Sequence, residues 1–185
     1  IDTSQETITL IVQKRDVELD TIHNNNLKFT INQYKFCIFG TQENILKLHL
    51  LYENSKSLHS LNFKVNVGNI VWNQNKAILT DDNTKTRLIY SSDIKNNQLI
   101  FKSYSNSVKK NYIDKEGNNC PTLTINRGYG VGNYNFEYCL IDGEFEYLIE
   151  NHLICINYST DIGKNELITL YRNLITSLND ERTKE

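Results

Sequence analysis

Thr122–Tyr158, TLTINRGYGVGNYNFEYCLIDGEFEYLIENHLICINY, decides the fold class of this chain. Leu123 and Ile125 alternate with Thr122, Thr124 and Asn126, three glycines at 128, 130 and 132 interrupt the run, and Tyr134, Phe136 and Tyr138 resume it. That is the period of a half-buried strand, folded back on itself through a glycine-rich tip. Asp142-Gly143 then supplies the dipeptide favoured in a two-residue type I′ turn, where both central residues need positive φ. Such a turn would set Leu140 opposite Phe145 and Tyr138 opposite Tyr147 on one face, with Cys139, Ile141, Glu144 and Glu146 on the other. His152–Tyr158 adds a further strand, so the region reads as a meander of about four strands.

The same period runs upstream. Ile8, Leu10 and Val12, then Leu27, Phe29 and Ile31, then Leu61, Phe63, Val65 and Val67 each alternate with more polar neighbours. Short strands at 70–72, 76–80, 86–91 and 98–104 follow at intervals of roughly ten residues, separated by turn signals such as Asp81-Asp82-Asn83 and Lys95-Asn96-Asn97. Asn44–Tyr52, NILKLHLLY, is apolar on both parities and suits a central strand covered on both faces, although its length also admits a helical turn. Only the C-terminus changes period. Leu167, Leu170, Tyr171, Leu174 and Leu178 form a helical stripe, with Asp161 or Asn165 as cap, Glu166 in the first turn, and the sheet as the surface it covers. The chain is therefore expected to be mostly β: an antiparallel β-sandwich or flattened barrel over about 5–160, with one C-terminal amphipathic α-helix over about 163–180, in a single domain of 185 residues.

Composition bounds the function. At 185 residues the chain can bury roughly 70% of its unfolded surface. Hydrophobic residues make up 39% and charged residues 23%, within the globular range. No apolar run approaches the roughly 20 residues that span a bilayer. A net charge of -2 and scattered Lys and Arg remove the electrostatic footprint of a nucleic-acid binder, and Lys109-Lys110 reads as a solvated loop. The chain has no Met and begins at Ile1, from which removal of a signal peptide is the expectation. Cys37, Cys120, Cys139 and Cys155 are even in number and lack zinc spacing, which implies two disulfides in an oxidising compartment, with four buried free thiols in a cytoplasmic protein as the alternative. Of the three connectivities, Cys139–Cys155 across the meander and Cys37–Cys120 between distant strands is preferred. Asn157-Tyr158-Ser159 is a glycosylation sequon of the kind so Asn-rich a chain produces by chance.

No catalytic or metal motif emerges. Glu144, Glu146 and Glu150 near the Asp142 turn could serve as an acid and base, but the spacing is that of a solvated hairpin face. His23, His49, His59 and His152 show no ligand spacing, and His49 falls inside the apolar 44–52 segment. No cofactor is implied, because the GxGxG lies between strands and lacks the helix that would hold phosphate. That loop is nonetheless the best candidate site: Arg127, Tyr129, Asn133 and Tyr134 put cationic, aromatic and amide groups on an accessible backbone that could grip a sugar ring or a peptide.

The N-terminal ETITLIV (6–12), with the separation between Cys37 and Cys120, resembles pilin subunits of the chaperone-usher type, whose N-terminal extension pairs as a strand in a neighbouring subunit. The C-terminal helix and second cysteine pair depart from that pattern. The leading expectation is an extracytoplasmic, non-enzymatic recognition module for a protein or glycan, a class that includes secreted host-interaction and adhesion proteins. A pilus-like assembly subunit and a small secreted hydrolase or toxin using Glu144 and Glu146 are the alternatives.

Overall fold

A computed structural model of the chain describes residues 28–31, 37–40, 42–104, 108–127 and 137–180. The strand expected from Ile8 to Val12 lies outside these. Contacts group residues 57–180 into one unit and the described residues before 57 into another.

In the smaller unit, β1 (Lys28–Ile31) pairs antiparallel with β2 (Cys37–Gly40), in a register that sets Ile31 against Cys37. Helix α1 (Gln42–Tyr52) follows. The expected strand at Asn44–Tyr52 is thus a helix, and the C-terminal helix is not the only one. The reason is local: the segment is built largely from Leu, Lys, Glu and Gln, all good helix formers, and Glu43 and Lys47 form an i,i+4 pair at 3.3 Å. Apolarity on both parities carried no period-two information. His49 is exposed on this helix rather than enclosed in a strand.

The larger unit is a mostly β sandwich closed by a C-terminal helix. Its strands are β3 (Phe63–Val67), β4 (Leu79–Thr80), β5 (Thr86–Ile89), β6 (Ile94–Lys95), β7 (Gln98–Leu99), β8 (Tyr112–Ile113), β9 (Thr122–Asn126), β10 (Tyr138–Ile141), β11 (Tyr147–Ile149) and β12 (Leu153–Tyr158), followed by α2 (Lys164–Leu178). The first sheet runs β10-β9-β12-β3, antiparallel throughout. The second runs β11-β5-β8-β4 and is mixed, because β11 lies parallel to β5. A two-stranded ladder, β6-β7, turns through Asn96 and Asn97 at φ of 52° and 59°. Positive φ at both central residues is the type I′ requirement, so the Asn-Asn signal does what it was expected to do.

Asp142-Gly143 does not. The β9–β10 pairing forms as expected, Tyr138 opposite Ile125, but the next strand belongs to the other sheet. The chain leaves the first sheet at Ile141 and enters the second at Tyr147, so Leu140 and Phe145 are not partners, nor are Tyr138 and Tyr147. Asp142 closes a local turn instead, its Oδ1 accepting the Glu144 N–H at 3.1 Å, while Gly143 takes φ of 73°. The reason is burial on both faces. Tyr147, Leu148 and Ile149 are all buried, the signature of a strand enclosed in a sandwich and paired in parallel, not of a hairpin arm with a wet side.

Three apolar layers hold the unit together. Between the sheets lie Ile89, Ile141, Tyr147, Ile149 and Leu153 with Cys139 and Cys155. Outside the second sheet, Ile70, Leu88, Tyr90, Ile113 and Leu148 pack under Trp72 and Tyr104. Outside the first sheet, Phe63, Leu123, Ile125, Tyr138 and Ile156 meet Leu167, Leu170, Tyr171 and Leu174 of α2, the stripe read from the sequence. Its N-cap is Gly163, with no side-chain cap, rather than Asp161 or Asn165.

Candidate functional site

The glycine-rich loop springs from a fixed base. Asn126 donates its backbone N–H to the Glu137 carbonyl at 2.8 Å, and its side chain donates to Glu137 Oε2 at 3.1 Å. The β6-β7 turn clamps the same base: Asn96 N–H donates to Glu137 Oε1, and Tyr138 N–H to Asn97 Oδ1, both at 3.0 Å. Arg127 follows β9 directly and is exposed; its N–H donates to the His152 carbonyl at 3.2 Å. Tyr129, Asn133 and Tyr134 lie outside the described residues.

Beside Arg127 the fold assembles a group that sequence spacing does not suggest. Glu150 is fully buried at the end of β11. One carboxylate oxygen accepts the His152 N–H at 3.1 Å, and the other lies against His152 Nδ1. Burial pushes the Glu150 carboxyl above its ordinary range, opposed by that N–H and by Lys109. Burial likewise pulls the His152 imidazole down, and the charges of Lys109 and Arg127 add to this. Lys109 stands over the rings of Tyr90 and Trp72, at 4.8 and 5.3 Å, and Lys76 stands over Trp72 at 5.6 Å. Lys109 is therefore seated on aromatic rings, not merely solvated. The result is a cationic, aromatic surface around one enclosed carboxyl, suited to holding an anionic or planar group. Grouping Glu150 with Glu144 and Glu146 obscured this. The usable signal was the unbroken Tyr147-Leu148-Ile149 run, which encloses whatever follows it.

Glu144 and Glu146 are both exposed. Glu144 meets Lys164 at 2.7 Å, which holds its carboxyl below the usual range, and Lys164 also donates to the Gly143 carbonyl at 3.3 Å. An acid in catalysis needs the opposite shift. Glu144→Ala is expected to leave the thermal midpoint unchanged, as for most surface pairs, which differential scanning calorimetry checks. Next to this turn a cleft of about 460 Å3 opens between Asn119, Cys120, Gly143, Asp161 and Lys164.

Cys120, Cys139 and Cys155 are free thiols. The expected Cys139–Cys155 bridge is not formed, and the register explains why: both residues stand opposite Thr124, from either side of β9. Two strand spacings, about 9–10 Å, separate their backbones, beyond the reach of a disulfide. The expected Cys37–Cys120 bridge is not formed either, since Cys120 is a free thiol. Burial raises the thiols of Cys139 and Cys155 from 9.0 to about 11 and about 12, so neither is a thiolate nucleophile at neutral pH. In the reduced native protein, a thiol reagent such as Ellman's is expected to modify exposed Cys120 promptly, and Cys139 and Cys155 only after denaturant is added. Because the folded state keeps protons that the unfolded state has lost, these thiols contribute full stability below about pH 9 and less as pH rises toward 12. Urea midpoints at pH 8 and pH 10 should show the fall.

Among the described residues no His, Cys, Asp or Glu group of three is placed to hold a metal, and no helix is long and apolar enough to cross a membrane. Comparison with family models, curated proteins and solved structures finds no match to this chain.

Proposed function

We propose that this chain is a non-enzymatic recognition module, acting outside the cytoplasm, that contacts a protein or glycan partner through the Arg127–Tyr134 loop and the turn around Asp142. The observation that carries the reading is the convergence of exposed Arg127, Lys109 on its aromatic seat, and the Glu150–His152 pair at the base of that loop. Rigid strands positioning a polar, aromatic loop is the usual construction of a recognition surface. Glu144, the acid invoked by the hydrolase alternative, is instead held below its usual range by Lys164. The extracytoplasmic placement starts from the even cysteine number and gains no support from Cys120, Cys139 and Cys155, which are free thiols.

The test is capture of partners from the native source by wild-type protein and by Arg127→Ala and Tyr129→Ala/Tyr134→Ala variants of equal thermal midpoint. Capture should fall at least about tenfold, the loss typical of one good interface anchor. Undiminished capture would exclude the loop as the contact. Thiol titration of denatured, unreduced protein from that source separates the compartments, since four free thiols would exclude the oxidising one.

A further inference from the structure

One side of the sandwich, where Asn118 and Ile70 bridge the outer edge of β11, has its own chemistry. Strand β3 is the edge of the first sheet and β11 the edge of the second. Beside these strands runs a cleft of about 480 Å3 in which the amides of Asn66, Asn69, Asn118 and Asn157 stand among apolar walls that include Val67, Leu148 and Ile149. The pairing of Asn66 with Cys155 sets Asn66 and Asn157 on the same face as the thiol buried between the sheets. None of the lining residues is charged, although nearly a quarter of the chain is.

The hydrogen-bonding state of these groups defines what they can take. Thr122 Oγ1 donates to Asn157 Oδ1 at 3.1 Å, and Asn118 Oδ1 accepts the Cys120 N–H at 3.2 Å, which leaves the amide NH2 of both as donors. The Tyr147 hydroxyl is fixed against the Cys120 carbonyl and Thr122 Oγ1, giving the cleft a rigid floor. Asn66 and Asn69 are exposed, and each amide offers a donor and an acceptor side by side. That pair matches neighbouring hydroxyls, each of which both donates and accepts. A charged ligand would find no counter-ion among the lining residues, while the apolar walls suit the C–H face of a sugar ring. The volume lies in the range of small-ligand sites. We propose that this cleft is a binding site for a neutral carbohydrate. It is separate from the Arg127 loop, because Thr122 opens β9 and Arg127 follows its other end.

The experiment is a titration of 15N-labelled protein with neutral hexoses and N-acetylhexosamines, as mono- and disaccharides, following the Asn side-chain NH2 resonances. Glucuronic acid and a blocked neutral heptapeptide serve as comparators. At least one neutral sugar should shift the amide signals of Asn66, Asn69, Asn118 and Asn157 saturably and more strongly than glucuronic acid. Asn66→Leu/Asn69→Leu should weaken it by about tenfold or more, as expected when polar contacts to a ligand are removed. Arg127→Ala should leave it unchanged, which separates this site from the loop. The wild-type shift map stands by itself if the double variant does not fold. Absence of these shifts with every neutral sugar, shifts that map elsewhere, or a response to the heptapeptide alone would overturn the proposal.

Discussion

Gly143→Ala is expected to destabilise the fold by about 3 kcal/mol or more. Two contributions add. At φ of 73° any residue with a Cβ is strained by roughly 1–2 kcal/mol. The new carbon would also stand 1.9 Å from the Asn119 carbonyl oxygen, which is backbone and cannot swing aside. Relieving that contact means moving the corner where the chain passes from one sheet to the other, and losses of this size come from such overdetermined sites. Asp142→Ala removes only the hydrogen bond to Glu144 N–H and should lose about 1 kcal/mol. Urea unfolding of both variants gives the comparison, and a loss below 1 kcal/mol for Gly143→Ala would show that the corner is not tight.

The second large effect is at the helix. Tyr171 is fully buried at the centre of the α2 stripe, its ring 5.8 Å from that of Phe63 and its hydroxyl accepting the Tyr158 N–H at 3.2 Å. Tyr171→Ala should lower stability by about 3–5 kcal/mol, the range for a deleted buried aromatic ring. Tyr171→Phe, which keeps the ring and abandons the hydrogen bond, should lose about 1 kcal/mol. If the two variants proved equally stable, α2 would not be covering the first sheet. Far-ultraviolet circular dichroism of Tyr171→Ala separates a helix that has melted from one that has only loosened.

These two positions also show what the sequence makes legible. The α2 stripe is a local, periodic signal, and its burial against Leu123, Ile125 and Ile156 follows from it. Strands β3, β9 and β12 are legible for the same reason. The Asp142-Gly143 corner is not, because its dipeptide describes only the backbone of the turn, while the choice between hairpin and crossover depends on Arg87–Ile89, far upstream, as partner of β11. A loop-closure preference was outweighed by the burial of a strand that is apolar on both faces. Reading β11 as half-wet made Glu150 a solvated carboxylate and hid its pairing with His152, and reading β10 and β12 as neighbours produced a cysteine bridge that β9 prevents. Of the candidate site, Arg127 was legible from the glycine-rich loop. Lys109, Glu150 and His152 were not, since each is brought there by strand order.

The most direct test of this arrangement is the pattern of backbone nuclear Overhauser effects around β11. Parallel-sheet contacts are expected between Arg87–Ile89 and Tyr147–Ile149, accompanied by slow exchange of the Glu150 amide that donates to the Ile89 carbonyl. Antiparallel cross-strand contacts linking Leu140 with Phe145 and Tyr138 with Tyr147 would contradict it.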